Sequence, residues 1–343
     1  MRKPVATKLV KNLLIGGFIV AFVVLLGVFN VTKPRILVLH SAAPDSPWVQ
    51  QVDRGMREAL KQNRRPVSVE WNYLGLGSPT ATRSTEEARA QARRAIEQMN
   101  PDVLIAVDDE ANSLVARDYI GRETPRILYL SIDRTPAEFG YADAANVTGI
   151  AERLPWAAVR DAVTDLFPGR STTMAVVGID NESDRAELAQ LQAFDWGPVT
   201  AETTALVATA GAWRDFVGRS AGADVLLVLG AQDLPDEDGA VVTAAELNRW
   251  TQDNARPLPI GVQGDFVADG GGLSLSPPPD DYGQRAIRLA LDWLDDRATP
   301  GPPSPVESSH FDVAVRQAPL AQRGIVLPPI YIEAARSNGT LFP

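Results

Sequence analysis

The sequence predicts an α/β protein of two doubly wound lobes, preceded by one apolar N-terminal helix. Short runs rich in valine, isoleucine and leucine alternate with amphipathic segments, and the alternation begins again near Thr173. Runs such as Val103–Val107 and Val225–Leu229 are apolar throughout, which is typical of parallel strands covered by helices on both faces. Because strands that alternate with helices form parallel sheets, two rounds of alternation predict two such sheets.

The N-terminal residues are typical of a membrane segment. Arg2, Lys3, Lys8 and Lys11 precede an unbroken run of apolar and small residues from Leu13 to Phe29. With the apolar residues beside it, this run approaches the about 20 residues that a bilayer requires. It is longer than the core of a cleaved signal peptide, and no small-x-small cleavage site follows it. A signal anchor is therefore favoured over a cleaved signal peptide or a buried helix, and the preceding positive charges predict a cytoplasmic N-terminus.

The first round of elements begins after Pro34. A capping box, in which Glu87 follows Ser84 by three residues, marks the start of a helix that ends near Met99. The predicted strands are Arg35–His40, Val67–Tyr73, Val103–Val107 and Ile127–Ile132, and the predicted helices are Trp48–Leu60, Ser84–Met99 and Ala111–Ile120.

The second round has the same pattern. A second capping box, Thr243 with Glu246, predicts another helix start. The predicted strands are Thr173–Ile179, Thr203–Val207, Val225–Leu229 and Pro259–Val262, and the predicted helices are Ala186–Phe194, a segment around Trp213–Val217 and one that begins after Thr243.

The C-terminal part is too fragmented to form a third core. It contains a candidate strand at Gly270–Ser276, an amphipathic helix at Tyr282–Leu294, and a second candidate strand at Phe311–Val315. A stretch rich in proline and glycine, Thr299–Pro305, separates the helix from the last strand. These pieces are expected to complete the two lobes, so the chain is predicted to cross between them several times.

Composition excludes several classes of function. The 343 residues carry a formal charge of −10, which argues against a nucleic-acid-binding protein because such a protein needs a basic face. The absence of cysteine excludes disulfides, cysteine-ligated metals and a lipoprotein anchor. His40 and His310 are the two histidines, too few for a multi-histidine metal site. No cofactor and no metal are expected.

Several segments together resemble a known protein family. They are Val38–Ser41 with Pro47-Trp48, Gly55–Leu60, Pro101–Ala111, Asn146–Ile150 and Ala321–Pro328. In order and spacing they resemble the ABC-transporter substrate-binding protein family of the type I periplasmic-binding-protein fold, whose relatives include outer sensor domains of bacterial signalling proteins. The resemblance extends over roughly residues 35 to 330.

The resemblance implies two Rossmann-like lobes that are joined by three crossovers and hold a ligand between them. In place of Ala42-Ala43, relatives often carry an aromatic residue or a second histidine, so the identity of the ligand is not implied. The crossovers are expected near Ile150–Arg153, Phe266–Gly270 and Thr299–Pro305. The expected units are a basic tail and anchor at 1–33, lobe 1 at 34–150 plus about 270–300, and lobe 2 at 151–269 plus about 304–343.

Candidate binding residues follow the predicted strands, because ligands of doubly wound sheets bind beyond the carboxyl ends of the strands. Many of these residues are carboxylates, which favour an ammonium group, a cation or sugar-like hydroxyls over a bare anion. A small polar ligand, preferably amino-acid-like, is therefore expected, with its carboxylate held by free helix ends. The candidates are His40, Ser41, Trp48, Asp108, Asp109, Glu110, Ser131, Asp133, Asp180, Asn181, Gln232, Asp233, Gln263 and Asp265.

Several candidates also have a purely structural interpretation. Asp109, Asn181 and Asp233 occupy positions typical of helix caps, a role that is compatible with ligand contact. His40, at a strand end, is also typical of a hydrogen-bonded structural histidine. Trp48 either covers the ligand or packs beneath the first loop.

Motifs of enzymes are present only in incomplete form. Gly218–Gly222 matches G-x-S-x-G, but a helix precedes Ser220 and a strand follows it, the reverse of a nucleophile elbow. Gly75-Leu76-Gly77 lacks the third glycine of a dinucleotide fingerprint. Asp108 and Asp109 are neighbours at a predicted helix start, where adjacent side chains point apart. The protein is therefore predicted not to be an enzyme.

The leading hypothesis is an extracytoplasmic solute-binding protein of an ABC importer. It places the chain in the bacterial inner membrane by a single span, with the C-terminal part in the periplasm or at the cell exterior. The expected partners are a small-molecule ligand, an ABC permease or other inner-membrane protein, and the membrane itself through the N-terminal helix. The alternative is a membrane-anchored sensory or accessory subunit with the same fold and a degenerate cleft.

Overall fold

The computed structural model describes residue 11, residues 14–25, residue 27, and residues 33–76, 83–295, 306–307 and 310–343. Residues 14–25 are helical, and their large apolar side chains are 47% to 71% exposed. Across these described ranges, no helix combines the length and apolar character needed to cross a membrane. The predicted anchor at Leu13–Phe29 lies partly outside the described residues.

The first sheet contains six parallel strands and forms the centre of lobe 1. The strands are β1 (Arg35–His40), β2 (Ser68–Tyr73), β3 (Val103–Val107), β4 (Arg126–Ile132), β5 (Val147–Ala151) and β13 (Val306–Glu307). Their order across the sheet is β13-β5-β4-β3-β1-β2. The helices of this lobe are α1 (Pro47–Gln62), α2 (Thr85–Met99), α3 (Asp108–Leu114) and α9 (Pro279–Asp295).

The second sheet contains seven strands and forms the centre of lobe 2. The strands are β6 (Thr172–Ile179), β7 (Val199–Val207), β8 (Val225–Val228), β11 (Leu258–Gly261), β12 (Leu273–Ser276), β14 (Asp312–Arg316) and β15 (Leu341–Phe342). Their order is β15-β14-β12-β11-β8-β6-β7, and a separate hairpin pairs β9 (Leu234–Pro235) with β10 (Val241–Val242). The helices are α4 (Trp156–Leu166), α5 (Glu182–Ala193), α6 (Ala210–Arg219), α7 (Ala244–Asn254), α8 (Asp265–Ala268), α10 (Gln317–Gln322) and α11 (Pro329–Asn338).

Each sheet separates two apolar cores. In β1, Leu37 and Leu39 face one core while Ile36 and Val38 face the other, because successive side chains of a strand point to opposite faces. The second sheet likewise lies between two buried clusters. The predicted α/β architecture with parallel sheets is confirmed. One pair differs, since β12 and β14 are antiparallel. The helix between them, α9, packs in lobe 1, so no crossover helix of lobe 2 imposes parallel pairing.

The chain returns to lobe 1 through α9, which packs closely on α1. A Cβ atom on Gly283 would lie 2.1 Å from the Val52 carbonyl oxygen, and one on Gly55 would lie 1.9 Å from that of Asp280. Only glycine at these two positions therefore allows the helices to approach so closely.

The passages between the sheets differ in part from the predicted ones. The first lies at residues 152–155, between β5 and α4. The second was predicted at Phe266–Gly270, and this is wrong, because β12 still pairs in the second sheet and the chain returns to lobe 1 at residues 277–278. The segment that rejoins lobe 1 was expected to start near residue 270, but it starts at α9. The third passage was predicted at Thr299–Pro305, with lobe 2 resuming near residue 304, and this is wrong, because β13 still pairs with β5 in the first sheet and the passage to lobe 2 therefore lies between β13 and β14.

Candidate functional site

Carboxylates of both lobes meet at the carboxyl ends of the parallel strands. Those of lobe 1 follow β3, β4 and β5, and those of lobe 2 lie on α5, directly after β6. Their charges act on one another across the boundary between the lobes. We call this group the acidic cluster, and its members are Asp108, Asp109, Glu110, Asp133, Glu152, Asp184 and Glu187.

The lobe 1 part of the cluster contains unusual backbone conformations. Asp108, directly after β3, has φ 74°, and its Oδ1 accepts a hydrogen bond from the Asp109 amide at 2.7 Å. Ser131, near the end of β4, has φ 51° and lies at a shift of register between β4 and β5. Left-handed conformations at residues other than glycine are unfavourable and are concentrated at functional sites.

Arg134 is the cation that organises the edge of the cluster. Its Nε donates to Asp109 Oδ2 at 3.0 Å, and its Nη2 lies 3.6 Å from Glu182 Oε2 on α5. The Asp133 amide donates to the other oxygen of Asp109 at 3.1 Å. Asp109 is therefore held by groups of its own lobe, while Arg134 connects it to lobe 2.

The lobe 2 part of the cluster is positioned by the start of α5. Asn181 Oδ1 caps this helix by accepting from the Asp184 amide at 2.7 Å. Asp184 Oδ2 in turn accepts from the Ile179 amide at 2.6 Å. One turn later, Glu187 Oε1 accepts from Gln263 Nε2 at 3.3 Å, whereas its Oε2 has no hydrogen-bond partner within the described chain.

Two further contacts join the lobes at Asp133. The Ser183 hydroxyl on α5 donates to Asp133 Oδ2, and Gln190 Nε2 donates to the Asp133 carbonyl oxygen at 3.1 Å. Because Ser183 and Glu187 are four residues apart on α5, they lie on the same face of the helix. Glu187 is thereby directed toward Asp133.

Burial raises the pKa of every carboxyl group in the cluster, and repulsion by neighbouring carboxylates adds to the shift for Asp108, Glu110, Asp133, Glu152 and Glu187. Desolvation and the charges of Asp108 and Asp109 raise the pKa of Glu152 to about 7, against the opposing effects of Ser131 and Arg153. Desolvation raises the pKa of Asp184 to about 6. The pKa values of the remaining members are raised as well, chiefly by desolvation. A ligand with a positive group would relieve this repulsion.

Two of the predicted binding residues lie inside lobe 1 instead. His40 is fully buried, its Nε2 is 2.9 Å from Asp53 Oδ1, and its ring stacks on Tyr73 at 5.1 Å between centroids. The Ser41 hydroxyl donates to the Val107 carbonyl oxygen at 3.0 Å and accepts from the Ala111 amide at 2.8 Å. Both residues thus connect β1 to its neighbours, and a ligand contact by either stays a prediction.

Other candidates lie nearer the surface. Trp48 is half-buried against the core beneath α1. Asp180 is exposed and pairs with Arg185 at 2.6 Å, and Gln232 is also exposed. Asp233 Oδ1 accepts from the amide of Ala244, the first residue of α7, at 3.0 Å.

Asp265 combines an exposed side chain with a perturbed pKa. Desolvation and the charge of Asp269 raise the pKa of Asp265 to about 6, and because the residue is exposed, solvent screens both effects. Its binding role stays a prediction.

Sequence reasoning missed Arg134, Glu152, Asp184 and Glu187. Glu152 directly follows β5, so the rule that identified the other strand-end carboxylates also applies to it. Asp184 and Glu187 lie within a helix, where no local signal separates them from solvated charges. Among the described residues, no group of three or more histidine, aspartate or glutamate side chains is arranged to hold a metal ion.

Known structures share this architecture. A conserved domain protein from Vibrio cholerae O1 biovar El Tor has a TM-score of 0.65 at 16% identity, covering 91% of this chain and 100% of its own. An ABC domain from Streptococcus pneumoniae, solved in complex with L-Trp, has a TM-score of 0.63 at 14% identity and covers 88% of this chain and 98% of its own. A substrate-binding protein with adhesive properties from Clostridium difficile, solved in an open, ligand-free form, has a TM-score of 0.61 at 13% identity and covers 86% and 96%.

The chain has the type I periplasmic-binding-protein fold. No family model matches the sequence, and no curated protein does. In open α/β sheets, ligands bind beyond the carboxyl ends of the strands, which is where the acidic cluster is found.

Proposed function

We propose that this protein is an extracytoplasmic solute-binding protein that delivers a small polar ligand, preferably amino-acid-like, to an ABC importer. The observation that carries the proposal is the meeting of buried polar side chains from both lobes around Asp133. Ligand bound there would contact both lobes at once and would favour the closed arrangement. A membrane partner distinguishes bound from free protein by such a population shift.

The similar structures support a binding role over catalysis. One of them was solved with L-Trp, and another is described as a substrate-binding protein. In this chain the G-x-S-x-G serine does not resemble a nucleophile, since Ser220 is buried and its hydroxyl donates to the Phe216 carbonyl oxygen at 2.8 Å.

Membrane attachment is part of the proposal. The helical residues 14–25 expose their large apolar side chains, which is costly in water and favourable in lipid. The positive residues before them favour an anchor with the C-terminal part outside the cytoplasm.

The proposal is tested by a thermal-shift screen of the full-length chain in mild detergent against amino acids, sugars and polyamines. A ligand at about 100 times its Kd should stabilise the folded state by about 2.7 kcal/mol and raise Tm by several degrees. Small-angle scattering with that ligand should show a smaller radius of gyration. A screen in which no compound raises Tm would contradict the proposal.

A sensory or accessory subunit is the second candidate. It is favoured by apolar side chains exposed on lobe 2, since Val326 and Ile330 are 87% and 69% exposed and provide a docking surface for another protein. Purification of the full-length chain from its native membrane discriminates the two. An associated permease and ATPase support transport, whereas an associated kinase or cyclase supports the sensory role.

A further inference from the structure

Glu187 carries a buried carboxylate oxygen that the described part of the chain leaves without a partner. The residue is 3% exposed, and one oxygen is used by Gln263 while Oε2 accepts no hydrogen bond from any described residue. Leaving a buried acceptor unpaired costs about 1–3 kcal/mol, and more when the group is charged. Such a group in a folded protein requires an explanation, and a donor from outside the chain is one.

The charge balance around Glu187 indicates what that donor is. The acidic cluster contains seven carboxylates, and the arginines that oppose its pKa shifts are Arg134 and Arg153. Arg134 is already engaged by Asp109 and Glu182. The other donors to the cluster described above are backbone amides, the Ser183 hydroxyl and the Gln263 amide, all of which are neutral. The carboxylates of the cluster thus outnumber these two arginines, and more than one additional positive charge would be needed to balance them.

The arrangement of the carboxylates favours an organic cation over a metal ion. An inorganic divalent ion needs several oxygens converging on one point, and no group of three or more acidic or histidine side chains among the described residues does so. The carboxylates are instead distributed over α5 of lobe 2 and the ends of β3, β4 and β5 of lobe 1. Positive groups separated by an alkyl chain match such a distribution, and ammonium and guanidinium groups form strong hydrogen bonds to carboxylates.

We propose that the cleft binds a small organic molecule with two positive groups, which we call a dication whether or not it also carries a carboxylate: a diamine or a basic amino acid, whose positive groups pair with Glu187 of lobe 2 and with Asp133 and Glu152 of lobe 1. This inference rests on the proposed solute-binding function and specifies its class of ligand. Because the ligand pairs with both lobes, it draws them together and neutralises the repulsion between them.

The experiment is isothermal titration calorimetry of the full-length chain with matched probes. Cadaverine is compared with n-pentylamine, which has the same chain and one amine fewer, and L-arginine is compared with its neutral isostere L-citrulline. The dications should bind at least ten times more tightly than their matched analogues. Preference for cadaverine over L-arginine identifies a diamine, and the reverse preference identifies a basic amino acid.

Proton release provides a second readout. Since the carboxyl groups of the cluster have raised pKa values, a bound dication should displace protons from them at pH 7. The apparent binding enthalpy should therefore differ between phosphate and Tris buffers. Equal enthalpies in the two buffers would contradict the assignment of the acidic cluster as the site.

The variant Glu187→Gln should weaken dication binding at least ten-fold while the chain stays folded, because glutamine preserves the shape of the side chain. Glu333→Gln, which changes an exposed residue of α11, is the matched control and should bind normally. Binding of the dications that is unaffected by Glu187→Gln overturns the inference, as does Glu187-dependent binding of Ca²⁺ or Mg²⁺.

The two proposals fail in different ways. If L-tryptophan or a sugar binds and the dications do not, the dication is wrong and the solute-binding function stands. If no amino acid, sugar or amine binds, both are wrong.

Discussion

The His40–Asp53–Tyr73 network and the acidic cluster both contain buried carboxyl groups, but the pKa values of these groups are shifted in opposite directions. In the His40–Asp53–Tyr73 network of lobe 1, Asp53 Oδ1 lies 2.9 Å from His40 Nε2, and Oδ2 accepts from the Tyr73 hydroxyl at 2.5 Å. Burial alone would raise the pKa of Asp53, but the hydrogen bonds from His40 and Tyr73, with nearby positive charge, lower it overall. In the acidic cluster, burial raises every pKa instead, and for Asp133, Glu152 and Glu187 like charges raise it further.

This difference distinguishes carboxylates that stabilise the fold from carboxylates that are available to bind a ligand. A carboxylate whose partners belong to the chain stabilises the fold by itself, whereas a carboxylate buried among other carboxylates destabilises it until positive charge arrives. The network is therefore expected to respond to mutation as a structural element, and the cluster as a ligand site. Each of the following predictions tests one side of this contrast.

The largest effect is expected for Asp53→Ala. The substitution leaves the buried His40 and the half-buried Tyr73 without their shared partner, which should lower the free energy of unfolding by about 3–5 kcal/mol. Urea denaturation monitored by circular dichroism measures this loss. Asp118→Ala is the control, because it removes the partner of Arg89 and Arg93 at a partly exposed site and should cost about 1 kcal/mol or less. Equal losses in the two variants would refute the structural role of the network.

Lowering the pH should stabilise the folded protein through the acidic cluster, the opposite of its effect on Asp53, whose pKa is lowered. The folded-state pKa of Glu152 is about 7, above its ordinary value of 4.5, so its stabilising contribution is present below pH 4.5 and is lost as pH rises through 7. The groups that face it include Asp108, Asp109 and Arg153 within lobe 1 and Glu187 across the boundary. Lowering the pH from 8 to 5 should therefore increase the free energy of unfolding by about 2–3 kcal/mol.

Urea midpoints measured at several pH values test this expectation. The variant Glu152→Gln should flatten the profile between pH 5 and 8, while Glu333→Gln should leave it unchanged. A wild-type stability that increases from pH 5 to pH 8 would show that the carboxylates of the cluster are stabilised when ionised.

Replacing Glu187, whose buried Oε2 has no hydrogen-bond partner among the described residues, should stabilise the protein. Glu187→Gln removes a buried carboxyl group whose ionisation is costly while preserving the volume of the side chain, so its stability relative to the wild type should increase with pH, by about 1–2 kcal/mol where the wild-type group is ionised. The gain should disappear near pH 4.5, where the carboxyl group of the wild type is protonated. A loss of stability at pH 8 would instead show that the Glu187 carboxylate, like that of Asp53, has stabilising partners within the protein.

The sequence was sufficient to predict most of the fold because its signals are local. Runs such as Val103–Val107 are apolar over the whole strand and therefore indicate a strand covered on both faces. The strand β12 was predicted, but its placement in lobe 1 was wrong. Its antiparallel partner β14 is distant in sequence, and the intervening α9 belongs to the other lobe. No local pattern contains that pairing.

The same distinction applies to the site. Asp109 and Asp133 were predicted because residues after parallel strands lie at one edge of the sheet, and their role in binding stays a prediction. That rule also selected His40, whose position is explained by a partner on α1, Asp53, that the rule does not consider. Glu187 was missed because it enters the site through the orientation of α5 against lobe 1, which depends on tertiary packing.

The smallest effect is expected for Ser183→Ala, which removes the hydroxyl that joins Asp133 to α5. One intramolecular hydrogen bond contributes about 0.5–1.5 kcal/mol net of the water contacts that it replaces, so the net cost to closure should be about 1 kcal/mol. Small-angle scattering of the ligand-free variant should show a larger radius of gyration, while its urea midpoint stays close to that of the wild type, because each lobe keeps its own core. Thr164→Ala, which removes an exposed hydroxyl of α4 that bonds the Arg160 carbonyl oxygen, is the matched control. If Ser183→Ala lowers the urea midpoint and leaves the radius unchanged, the boundary between the lobes is a permanent part of the core and Asp133 belongs with the structural carboxylates.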